Sequence, residues 1–249
     1  MKTVLITGCS SGFGLATAQY FLARDWKVIA TMRTPREDIL PRSSNLRILP
    51  LDVTDPQSIS KALQAAGPID VLVNNAGIGM LGALEGTPMD TALEVFETNT
   101  LGTIALTQAV LPQFRERNTG VIVNVTSTVT IKSLPLLSVY TASKAAVNAF
   151  TESVALELEP FNIRMRLVLP GRAPGTRFGE NAQPRLEGAF PPAYVTQGEQ
   201  VFTEWREYSG PITESEAVAE AVWRAATDPT SPMRIPAGDD AVELAQSQK

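Results

Sequence analysis

Val4-Leu5-Ile6-Thr7-Gly8-Cys9-Ser10-Ser11-Gly12-Phe13-Gly14 opens the chain and decides its fold. Its first three residues are an unbroken apolar run, as expected of a strand buried on both faces. A helical apolar pattern follows Gly14 and continues through Leu22, so the glycines occupy a strand-to-helix turn. Such a turn lets backbone come close to a pyrophosphate, while the helix N-terminus offers unpaired N–H groups and a positive dipole. Gly8, Ser10, Ser11, Gly12, Phe13 and Gly14 are therefore candidate cofactor contacts. The spacing is G-x3-G-x-G, not the G-x-G-x-x-G of the usual dinucleotide fingerprint. By itself it is also explained by a tight turn with no ligand.

Working outward, strand and helix patterns alternate. Strand patterns recur at Trp26–Thr31, Leu46–Leu51, Ile69–Val73, Val121–Thr126 and Arg164–Leu169, with a short one around Arg234–Pro236. Alternation of this kind predicts a parallel sheet with right-handed crossovers. Thr34-Pro35-Arg36-Glu37 reads as a cap opening a short helix, and Asp55-Pro56 opens another. A long helical stretch begins at Thr87-Pro88-Met89-Asp90 and runs toward Phe114. Pro112 is expected to bend it. Asn99 lies inside, where its poor helix propensity marks either an exposed side chain or a local kink that binds water. Thr213-Glu214-Ser215-Glu216 reads as a capping box for the last long helix, with Val218, Val222 and Trp223 inward.

The chemistry-bearing residues lie at strand ends. Met32 and Arg33 follow the second strand, where an acid would be expected to bind an adenosine ribose. A guanidinium there suits a 2′-phosphate, which favours NADP(H) and leaves NAD(H) as the alternative. Asp52, with Val53 after it, ends the third strand and reads either as an adenine contact or as a turn cap. Asn74-Asn75-Ala76-Gly77 ends the fourth, and its small residues with polar amides would let a cofactor pass. Ser127 ends the fifth. Tyr140 and Lys144 stand four residues apart on a predicted helix, one turn from each other on one face. A cation beside a phenol favours the phenolate and draws its pKa toward the working range, so the pair is built for acid/base work.

Composition narrows the rest. The 249 residues are 44% hydrophobic with net charge −5, enough for a substantial core and no basic footprint for nucleic acid. No apolar run approaches the roughly 18 residues that span a bilayer. Cys9 is the single cysteine and histidine is absent, which excludes a Ser-His-Asp triad and a His-ligated zinc site. Because Met1 leads straight into a strand pattern with no room for a signal peptide, a soluble cytoplasmic protein is expected.

Thr7-Gly8-x3-Gly12-x-Gly14, Asn74-Asn75-Ala76-Gly77, Asn99, Ser127, Tyr140-x3-Lys144 and Pro170-Gly171 occur in order at intervals that resemble the short-chain dehydrogenase/reductase family. The likeness runs from Thr3 to about Gly171 and is nearest in motif style to its steroid and retinol dehydrogenase branch. It implies one doubly wound Rossmann-like α/β domain over residues 1–249, with about seven parallel strands. It also implies Tyr140 as general acid/base, Ser127 as the group polarising the substrate oxygen, and Lys144 on the nicotinamide ribose. Asn99 would hold a relay water. Asn75, Ala76, Gly77, Pro170 and Gly171 are then expected to touch the cofactor. Thr176 falls one place later than the family's threonine after Pro-Gly, and Thr128-Val129-Thr130 lacks the glycine often seen after the serine.

Residues 172–212 change composition, with many Pro and Gly among Phe178, Phe190, Tyr194, Phe202, Trp205 and Tyr208. This stretch is expected to be a substrate lid, part of it packing its own aromatics. Ile78, Met80, Leu81, Ile131, Leu134, Pro135 and Leu136 would line the opposite wall, so an apolar or aromatic ketone or secondary alcohol is expected. The small residues Ala142, Ala145, Ala146 and Ala149 suit a homodimer or homotetramer contact. Two other classes compete: a cofactor-free lyase on the same fold, such as a halohydrin dehalogenase, and a nucleotide-sensing protein without turnover. Intact Gly12, Gly14 and Lys144 weigh against the first, and the complete Ser-Tyr-Lys set against the second.

Overall fold

The computed structural model describes residues 1–247. Seven strands build one sheet: β1 (Thr3–Ile6), β2 (Lys27–Met32), β3 (Leu46–Pro50), β4 (Val71–Asn74), β5 (Gly120–Val125), β6 (Ile163–Pro170) and β7 (Arg234–Ala237). Their order is β3-β2-β1-β4-β5-β6-β7 and every pairing is parallel. The helices are α1 (Gly12–Leu22), α2 (Pro56–Ala66), α3 (Met89–Phe96), α4 (Gly102–Glu116), α5 (Ser138–Leu158), α6 (Phe178–Ala182), α7 (Val195–Glu207), α8 (Ser215–Thr227) and α9 (Asp239–Ser247).

Successive side chains of a strand point to opposite faces, and both faces here are covered. Val4, Ile6, Val28, Val73 and Val123 pack on one side with Phe21 of α1 and Val222 of α8. Leu5, Ile29, Leu72 and Ile122 pack on the other with Ile59 of α2 and Leu106 and Phe114 of α4. That is why the strands read as unbroken apolar runs. From β1 the chain winds toward β3, and from β4 it winds toward β7. The loops after β1 and β4 therefore part, and a crevice opens at the strands' C-terminal ends.

Two local expectations change, and one open alternative is resolved. No helix forms after Thr34: Pro41 disfavours helical geometry at Leu40, and the Arg36 guanidinium instead pairs with Asp38 at 3.0 Å. The capping box before α8 does not form either, because Thr213 is buried and its hydroxyl turns to Asp240. Between α3 and α4 the backbone widens into a π turn over Glu97–Leu101, which places the predicted kink at Asn99. α4 itself continues through Pro112 to Glu116.

Candidate active site

Ser127 lies two residues past β5, and Tyr140 and Lys144 sit one turn apart on α5. All three are buried, at 8%, 7% and 5% exposure. The phenol of Tyr140 is hydrogen-bonded to Ser127, whose Oγ also accepts from Val129 N at 3.3 Å. Lys144 Nζ donates to Val125 O at 3.1 Å and lies 6.0 Å from the Tyr140 ring centroid. Burial is the larger influence on both ionisable groups. It pushes the Tyr140 phenol well above its ordinary value, with the Ser127 bond pulling back, and it pushes the Lys144 amine down to about 8. Leu136, just before α5, holds φ +64, an uncommon conformation for a branched residue, and its carbonyl accepts from Gly82 N at 2.8 Å.

Asn99 uses its amide fully within the protein. Oδ1 accepts from Ile78 N at 2.8 Å, and Nδ2 donates to Ile78 O and Ser143 Oγ, each at 3.0 Å. Ser143 Oγ donates in turn to Tyr140 O at 2.7 Å. The side chain thus ties the loop after β4 to α5. The Asn99 carbonyl accepts from Thr103 Oγ1 at 2.9 Å.

The crevice carries the glycine-rich turn. Thr7 Oγ1 accepts from both Asn75 N and Ala76 N at 2.9 Å, while Asn75 Nδ2 donates to Thr7 O at 2.9 Å. These bonds lock the ends of β1 and β4 together. Gly8 and Gly12 hold φ +73 and +55, and a Cβ on Gly14 would stand 2.3 Å from Gly8 O. A Cβ on Gly77 would come 3.1 Å from Asn99 Oδ1 and 3.3 Å from Lys144 Nζ, a tight fit that would press on both side chains. Ser11 precedes α1 with no side-chain cap, and no acid occupies the first turn. A bare cradle ending in uncapped helix N–H groups fits a dinucleotide pyrophosphate. Cys9, buried in the same turn, is held as a thiol because burial raises its pKa to about 12.

Of the remaining candidates, Arg33 is exposed just past β2. Asp52 takes the turn-capping role, its Oδ1 accepting from Thr54 N at 3.0 Å and Thr54 Oγ1 at 2.8 Å. Val53 packs on Gly102, where a Cβ would approach within 2.9 Å. Pro170 ends β6 with Gly171 after it. Thr176 lies against Gly12, although its hydroxyl donates to Ala173 O at 2.9 Å.

Sequence reasoning missed three contributors. The Thr7 hydroxyl joins the strand ends and Ser143 links Asn99 to α5, yet each is a small polar residue inside an apolar or helical run. The third is Phe178, whose ring lies 5.5 Å from that of Tyr140 and in the notch left by Gly79, where a Cβ would be 2.6 Å from Phe178 Cε1. Three other lid aromatics pack together, Phe190 on Phe202 at 5.9 Å and Phe202 on Trp205 at 6.4 Å. Among the described residues, no group of His, Cys, Asp and Glu could hold a metal ion, and no helix is long and apolar enough to cross a membrane.

A family model described as short chain dehydrogenase matches residues 2–186. The uncharacterized oxidoreductase YusZ of Bacillus subtilis is 44% identical over 181 residues, covering 68% of this chain and 64% of that protein. Retinol dehydrogenase 8 of Bos taurus is 41% identical over 185 residues, covering 68% and 58%. The matches thus span under two thirds of those relatives' lengths. The closed form of serine dehydrogenase, solved with NADP+, superposes with a TM-score of 0.80 at 30% identity, covering 96% of this chain and 95% of that one.

Proposed function

Since the chain belongs to the short chain dehydrogenase family, we propose that it is an NADP(H)-dependent oxidoreductase interconverting a ketone and a secondary alcohol. The observation that carries this reading is the buried Ser127–Tyr140–Lys144 cluster at the mouth of a dinucleotide cradle. Bound nicotinamide supplies or accepts the hydride. Ser127 and Tyr140 then hold the substrate oxygen with two hydrogen bonds, an arrangement that stabilises developing alkoxide charge. Tyr140 delivers its proton to that oxygen in reduction and accepts it in oxidation. Lys144, anchored on Val125 O, presents its ammonium to a ribose and to the phenol, favouring phenolate when the alcohol is oxidised. Asn99 keeps the loop at Ile78 and α5 in register, and its proposed further role is to hold a relay water.

Arg33, exposed where a ribose-binding acid would otherwise stand, supports NADP(H) over NAD(H), and the NADP+-bound serine dehydrogenase of the same fold is consistent with that choice. Buried Met80, Leu81 and Val129, with Phe178 over the phenol, support an apolar or aromatic substrate. Exposed Ala142, Ala145 and Ala149 on α5, with Leu101 on the neighbouring π turn, support a homodimer or homotetramer, and the single cysteine is consistent with the cytoplasm. The test is a fluorescence titration with NADPH and NADH separately, followed by aryl and aliphatic ketones. Tighter NADPH binding that Arg33→Ala weakens, with oxidation on adding ketone, is expected. Tighter NADH binding overturns the Arg33 reading alone, and binding of neither sinks the dehydrogenase reading in favour of a lyase.

A further inference from the structure

The lid leaves the sheet after Gly171 and returns at Thr213, and one carboxylate from outside the lid holds both stems. Asp240, in the first turn of α9, accepts from Arg172 N through Oδ2 at 2.6 Å. Its Oδ1 accepts from Thr213 Oγ1 at 2.6 Å. The stems also pair directly: Thr213 N donates to Arg172 O at 2.7 Å, and Thr213 Oγ1 accepts from Gly171 N at 2.9 Å. The single hydroxyl proton has Ala237 O at 3.0 Å as its other acceptor. Two glycines make the cluster possible. A Cβ on Gly171 would stand 2.1 Å from Asp240 Oδ2, and one on Gly238, at φ +99, 2.2 Å from Thr213 Oγ1. The Arg172 guanidinium lies over Tyr208, 4.7 Å from its centroid, and donates to Trp205 O, so the far end of α7 is fastened to the same stem.

We propose that Asp240 is a positioning residue of this site: its carboxylate sets the closed register of the lid, and with it the seat of Phe178 over Tyr140. This rests on the reductase reading above. Both stems present a donor to Asp240, and each takes one carboxylate oxygen. Ala offers neither acceptor, whereas Asn can still serve both stems, its Oδ1 accepting from Arg172 N and its NH2 donating to Thr213 Oγ1 while that hydroxyl turns to Ala237 O.

The test compares the full chain with Asp240→Ala, Thr213→Val and Thr213→Ser by steady-state ketone reduction and by limited proteolysis within residues 173–212. Asp240→Ala and Thr213→Val are expected to raise the ketone KM about tenfold with kcat within about threefold, as loss of a charge-assisted hydrogen bond away from the reacting atoms would. Lid cleavage should quicken in the same two variants. Thr213→Ser, which keeps the hydroxyl, should match the parent in both measurements, and the double variant should be no worse than either single one. Unchanged lid cleavage in Asp240→Ala refutes the clamp. So does a loss of kcat and denaturation midpoint with KM unchanged, because that is general destabilisation. Cleavage is read without cofactor or ketone, so a parent chain that reduces nothing refutes the reductase reading separately.

Discussion

Replacing Lys144 with Met tests whether the site holds its cation at a cost to the fold. Lys144 is 5% exposed, and among the described residues its amine has one acceptor, Val125 O at 3.1 Å. Burial lowers its pKa from 10.5 to about 8, a difference worth about 3 kcal/mol at 1.36 kcal/mol per pH unit. Below about pH 8 the amine is protonated in both folded and unfolded chains, so the folded protein carries the whole penalty. Between about 8 and 10.5 the unfolded chain binds more protons, stability rises with pH, and the penalty fades. Met removes the charge and keeps the length, but it leaves Val125 O without this donor, a loss of about 1 kcal/mol. The net gain at pH 7 is then about 2 kcal/mol, or a Tm rise of about 5 °C for a chain of this size. Urea denaturation of both proteins at pH 7 and pH 10 reads the difference, and turnover should be abolished in the variant. A variant less stable than the parent at pH 7, or a gain equal at both pH values, would refute the reasoning.

Three further outcomes follow from named contacts. Tyr140→Phe keeps the ring beside Phe178 but removes the proton carrier, so turnover should fall by about 10³-fold while the NADPH titration midpoint moves little; retained turnover contradicts the acid/base role. Asn99→Ala strips three hydrogen bonds from an amide only 1% exposed and should cost about 3 kcal/mol in denaturation, whereas an unchanged midpoint would show the loop at Ile78 held by other means. Gly79→Ala puts a methyl 2.6 Å from Phe178 Cε1 and should raise the KM for bulky ketones. The effect should shrink when Phe178→Ala is added, and additive effects would uncouple the two positions.

Much of the site was legible because its signals are local. Tyr140 and Lys144 meet because four residues make about one helical turn, and the glycines declare themselves because glycine takes φ near +60 at a strand–helix corner without a Cβ penalty. Asp52 stayed ambiguous from sequence because its turn-capping and adenine-binding positions coincide. Asn99 was legible as a helix irregularity but not as the tie between Ile78 and Ser143, since its partners lie 21 and 44 residues away. Thr213 misled for the same reason. Its spacing to Glu216 suits a cap, but Asp240, 27 residues on, is a charged acceptor that a neutral cap cannot match.

The chain by itself thus determined the layered parallel sheet, the glycine cradle and the Ser-Tyr-Lys spacing, because strand period, helix rise and backbone sterics act between near neighbours. Only the tertiary structure decided that Phe178 covers Tyr140, that Lys144 loses solvent enough to titrate near 8, and that both lid stems close on Asp240. Those depend on which distant segments share a volume, and burial and hydrogen-bond pairing are properties of that shared volume rather than of spacing along the chain.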